Sequence, residues 1–173
     1  MMPGMAANPA VFERIKLSEA EFKTIWLSWK IPIKEESLSD YAKRMAEDIV
    51  KDEPVVLIGV SFGGVLVQEI SKYVLIKRLI IISSVKSKHE LPKRMKLARN
   101  TGVYKILPTG LLDYMSHIEK LPVSDLIRKR LQLYKQYLSV NDKEYLDWAI
   151  KEMLCWEQSQ PIEGLIHIHG DLD

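Results

Sequence analysis

Between Val55 and Val60 the chain reads VVLIGV, a short continuous apolar run typical of a strand buried on both faces of a parallel sheet. Arg78 to Ser83 (RLIIIS) repeats the pattern. Between them Val65, Leu66, Val67, Ile70 and Tyr73 recur at helical spacing behind Gly63 and Gly64. Upstream, Leu38, Tyr41, Met45 and Ile49 outline another helix. Ser37 and Asp40 stand at capping-box spacing before it, and Asp52 and Pro54 close it. Phe22 to Trp29 (FKTIWLSW) is rich in β-branched and aromatic residues and stops near Pro32, which predicts a strand. The order β-α-β-α-β predicts an α/β fold, with a parallel sheet covered by helices on both faces. From Ser87 to Gln160 strand signals vanish and helical stretches follow one another. Ser124 can cap one carrying Leu126, Ile127, Leu131, Tyr134 and Leu138, and Asn141 with Glu144 can cap another carrying Tyr145, Trp148, Ala149 and Met153. Leu165 to His169 is strand-like again.

The 173 residues suit one compact domain. Hydrophobic residues at 47% and charged residues at 28% allow a sizeable core and argue against disorder or low-complexity architecture. Lys and Arg number 25 against 23 Asp and Glu, and a net charge of +2 offers no field for nucleic acid or an anionic membrane. Cys155 is the single cysteine, which forbids an internal disulfide and fits a reducing, cytoplasmic setting. Apolar stretches of about six residues fall far short of the roughly 20 that a membrane helix requires.

Gly59-Val60-Ser61-Phe62-Gly63 is a G-x-S-x-G placed between a buried strand and a helix. A nucleophilic serine on a strained turn needs small neighbours, and a helix N-terminus behind it offers N–H groups to a developing oxyanion. Read blandly, the same turn makes Ser61 a helix cap. With GVSFGG as its nucleophile elbow, the chain resembles the α/β-hydrolase family over nearly its whole length, in the manner of small bacterial members with a helical cap. The resemblance implies a three-layer parallel sheet with a core of residues 1–85 and 161–173, and a cap or lid over residues 86–160. Pro3-Gly4-Met5-Ala6-Ala7 resembles the loop after the family's third strand, so the Met5 and Phe62 amides would form the oxyanion hole. In His167-Ile168-His169-Gly170-Asp171-Leu172-Asp173, which resembles the seventh strand and its acid loop, Asp173 would be the triad acid.

The family's order Ser, Asp, His needs a histidine after Asp173, and His89, His117, His167 and His169 all precede it. The resemblance therefore implies a hydrolase truncated at both ends, lacking the family's third and eighth strands, its final helix and its histidine loop. Such a chain would be poorly soluble and weakly active or inactive, and where the third strand belongs, between Phe22–Trp29 and Val55–Val60, either a gap would open or the two strands would close directly and displace the oxyanion turn. The expected function is a serine hydrolase acting on carboxylic esters or related small acyl substrates, with no cofactor and no metal. The alternative is a non-catalytic α/β-hydrolase-like binding protein or fragment. A third reading takes H-x-H-x-D-x-D as a metal set, partly like the H-x-H-x-D-H of metallo-β-lactamase-type hydrolases. The basic clusters Lys86, Lys88, Lys93, Arg94, Lys96, Arg99 and Arg128, Lys129, Arg130 read as solvated helix faces. Trp26, Trp29, Trp148 and Trp156 are core material or pocket lining.

Overall fold

The computed structural model describes residues 1–49, 52–102 and 136–170. Three parallel strands, β1 (Val55–Val60), β2 (Ile76–Ile82) and β3 (Ile166–Ile168), lie in the order β1-β2-β3. Val60 pairs with Ile82 and Ile82 with Ile168, so the strand ends are level where the chain leaves β1 for Ser61. The described helices of two turns or more are α1 (Leu38–Ala46), α2 (Phe62–Ile70), α3 (Lys93–Thr101) and α4 (Lys143–Leu154). None of them is long and apolar enough to cross a membrane.

The strand pleat sorts the core. Leu57, Leu79 and Ile81 point to one face and are buried. There α2, buried at every residue, packs on β1 and β2, and α1 packs on α2. The alternate positions Val56, Ile166 and Ile168 remain exposed. Helices on both faces are the expectation from the sequence; among the described residues α2 covers the buried face and α1 packs on α2.

Local chemistry explains the helix ends. The Ser37 hydroxyl accepts from Asp40 N at 3.1 Å and opens α1 as expected. Beyond Ala46 the bonds tighten from four residues to three (Asp48 N to Met45 O, Ile49 N to Ala46 O), which still carries Ile49 into the core. At α4 the cap is Asp142 rather than Asn141: its Oδ1 accepts from Tyr145 N at 2.8 Å. The helix expected after Ser124 lies outside the described residues up to residue 135; Gln136 and Tyr137 are helical.

Phe22 to Trp29 is not a strand. Its inward-outward alternation survives, with Leu27 and Trp29 buried and Trp26 and Ser28 exposed, but apart from a local turn bond from Phe22 N to Ser18 O, Met1 is the only partner its backbone bonds among the described residues. Met1 N donates to Ile25 O at 2.7 Å and Leu27 N to Met1 O at 2.9 Å. On the other side Met2 N donates to Ile58 O at 2.8 Å, and Val60 N to Met2 O at 3.1 Å. Two residues are too few for a ladder, yet they fill the space between residues 25–27 and β1. The gap expected beside β1 does not open at this end, because the fully buried Met2 occupies it.

Candidate active site

Ser61 joins β1 to α2 with no intervening loop, at φ 52° and ψ −122°. A non-glycine residue persists there only where its surroundings hold it, at a cost of about 1–3 kcal/mol. The holding contacts are visible. Ser61 N donates to Ile82 O at 2.9 Å, and Ser61 O accepts from Ser84 Oγ at 2.7 Å and from Gly64 N at 2.9 Å. The turn is also too tight for side chains: a Cβ on Gly59 would fall 2.3 Å from Gly63 O, and one on Gly63 would fall 2.2 Å from Pro3 O. Ser61 stands at the N-cap position of α2, but its side chain makes no capping hydrogen bond; the residue is half-buried.

The Pro3–Ala7 turn is pressed against this elbow. A Cβ on Gly4 would stand 3.7 Å from Ser61 Cβ. Gly4 O accepts from Ala7 N at 3.1 Å and from the Trp29 indole at 2.7 Å. Ala6, at φ 59°, donates its N–H to the Tyr145 hydroxyl at 3.0 Å, and its carbonyl accepts from Ser139 N at 2.8 Å. Within this bracing the N–H groups of Met5 and Phe62 donate no hydrogen bond to any described residue. For Phe62 the reason is its place in the first turn of α2, where backbone donors have no helical partner. Two amide donors without a partner among the described residues thus belong to the strained serine turn and to the turn pressed against it, and donors of that kind are what a developing oxyanion requires.

Aromatic side chains brace the site from the α4 side. Trp29 stacks on Phe62 (centroids 5.1 Å apart, 6° between planes), Trp148 meets Phe62 edge-on at 6.1 Å, and Tyr41 lies 4.4 Å from Trp148. The Trp148 indole donates to Glu36 O at 2.7 Å. Burial pushes the Tyr41 hydroxyl up to about 12 and the Tyr145 hydroxyl well above the usual tyrosine range, so both stay neutral. Of the four tryptophans, Trp29, Trp148 and Trp156 are core residues and Trp26 is exposed. Trp29 and Tyr145 are the positioning residues that sequence reasoning missed. Each looked like core, and their partners, Gly4 and Ala6, lie 25 and 139 residues away.

The acid and base are not assembled among the described residues. Asp173, Asp171 and His117 lie outside them. His89 sits in an exposed one-turn 3-10 helix, Lys88–Glu90. His167 Nε2 and His169 Nδ1 are 3.2 Å apart and bond to each other, their rings edge-on at 5.1 Å. None of these three histidines bonds to Ser61. No group of three or more potential metal ligands gathers among the described residues. Scanned against descriptions of known protein families the chain matches none, and a search of curated proteins likewise finds no match.

Proposed function

We propose that the chain is a serine hydrolase of the α/β-hydrolase type acting on carboxylic esters or related acyl substrates, with Ser61 as nucleophile and the Met5 and Phe62 amides as oxyanion hole. The observation that carries this reading is the backbone of Ser61: a non-glycine residue at φ 52°, ψ −122°, wedged between a parallel strand and a helix N-terminus, its side chain making no capping hydrogen bond. Attack of the Ser61 oxygen on an acyl carbon would put negative charge on the carbonyl oxygen, which the Met5 and Phe62 N–H groups would bind. α4, packed on Phe62, would belong to a lid over the acyl group, with α3 packed against it.

A base must take the Ser61 proton, and no described histidine is in place for it. That observation favours a second reading, an α/β-hydrolase-like protein that binds an acyl ligand without turnover. A fluorophosphonate probe separates the two. Covalent labelling that maps to Ser61 and disappears in Ser61→Ala supports the enzyme; a folded protein that resists labelling supports the binding protein.

A further inference from the structure

A cleft of ≈ 310 Å³ lies where the chain leaves β2 and enters α3, lined by Lys88, His89, Leu91, Lys96, Arg99 and Asn100. Three of the six lining residues are permanent cations, and Leu91, 3% exposed, adds an apolar wall. We propose that this cleft is a binding site for a phosphate-type dianion, free or as the terminal group of a phosphorylated small molecule. The site is independent of the hydrolase reading.

Two of the lining cations already hold an anion, a carboxylate that is not itself part of the lining. The Glu157 carboxylate is shared by Lys88, whose Nζ stands 2.7 Å from Oε2, and by Arg99, whose guanidinium bonds Oε1. Those two cations hold the exposed Glu157 carboxyl below the ordinary glutamate range, with the hydrogen bond from Lys88 the larger cause and that from Arg99 next. One carboxylate does not balance the cleft. Lys96 neighbours no carboxylate among the described residues; its Nζ donates to His89 O at 2.6 Å, which uses one of its three protons. The surplus of two positive charges over Glu157 matches a phosphate monoester, which carries close to −2 at pH 7. Arg99 supplies a forked donor, Lys88 and Lys96 supply point charges, and the Asn100 amide supplies a neutral donor. Around the cleft Lys93 and Arg94 add field of the same sign, while Lys86 is paired with Glu90 at 3.2 Å.

Titration calorimetry of the full chain at pH 7.5, with inorganic phosphate and separately with phenyl phosphate, against chloride at equal ionic strength, tests the assignment. Saturable binding of at least one phosphate compound, with none for chloride, is the expected result. Equal affinities would identify free phosphate, and tighter binding of phenyl phosphate would identify a phosphorylated organic molecule; both support the site. Lys96→Gln with Arg99→Gln should weaken binding at least tenfold, and Lys23→Gln, outside the cleft, should leave it unchanged. Glu157→Gln carries the sharper prediction, because it keeps the cations and removes their resident anion: affinity should rise severalfold. Absence of saturation with either phosphate compound, or an unchanged or weaker affinity in a folded Glu157→Gln variant, overturns the proposal. Neither result bears on labelling at Ser61.

Discussion

At Ser61 a single pair of dihedral angles separates structural strain from side-chain chemistry. Replacement by alanine removes the hydroxyl and keeps the strain, whereas replacement by glycine removes both, because only glycine occupies φ 52°, ψ −122° without penalty. Ser61→Gly should therefore be more stable than Ser61→Ala by about 1 kcal/mol in urea denaturation. Equal stabilities would show that the turn is not strained. Gly63 makes a second test. A Cβ there meets the backbone of Pro3 and Met2, which cannot rotate away, while a Cβ on Gly4 finds ordinary contact distances. Gly63→Ala should cost about 3 kcal/mol and Gly4→Ala much less, read as urea midpoints at constant slope.

At the scale of elements, Glu36 ties three segments together. Its carboxylate accepts from Ile33 N at 2.8 Å and from Arg44 of α1 through Nε at 2.8 Å and Nη2 at 2.7 Å, while its carbonyl accepts from Trp148 of α4. The Arg44 hydrogen bond is the main reason the Glu36 carboxyl lies below its ordinary range. A carboxyl depressed in the fold stabilises it above its unfolded pKa, and that stability is lost as pH falls through the folded value. The wild type should lose stability below about pH 4 more steeply than Arg44→Met, in which this linkage is gone. At pH 7 Arg44→Met should be destabilised by about 2–4 kcal/mol, since it leaves a buried carboxylate without its partner. Parallel acid limbs in the two proteins would contradict the assignment. Tyr145→Phe removes the acceptor of the Ala6 N–H and should cost about 1–2 kcal/mol. If the Pro3–Ala7 turn forms half of an oxyanion hole, the same variant should also slow fluorophosphonate labelling while the protein stays folded.

At the scale of the whole molecule, the sheet is unevenly covered. Leu57, Leu79 and Ile81 are sealed under α2, whereas Ile166 and Ile168 on β3 are 42% and 51% exposed and share a face with exposed Val56. An exposed apolar face beside a strand of three residues promotes association. Ile166→Thr with Ile168→Thr, which keeps β-branching, should raise the concentration at which the protein remains monodisperse in light scattering. It should shift the urea midpoint little, because neither side chain is buried. A large stability loss would mean that this face is covered in solution.

Patterns confined to short stretches of chain were determined by the sequence alone. VVLIGV and RLIII form neighbouring parallel strands, α2 follows at once, and Ser37 caps α1, because each depends on residues a few positions apart. The serine turn was legible for the same reason: the glycines that it needs flank it in the chain. Tertiary structure decided what depends on distant partners. Phe22 to Trp29 has the composition of a strand, yet among the described residues only Met1 exchanges ladder-type backbone hydrogen bonds with it, so hydrogen-bond supply overrode propensity. That two residues, Met1 and Met2, close the space beside β1 follows from Met2 being wholly buried in register with Gly59, which no periodicity records. Trp29 and Tyr145 read as core, and they are core. Their polar atoms reach Gly4 and Ala6 only because folding brings α4 and residues 25–29 to the same turn, a proximity that exists in three dimensions alone.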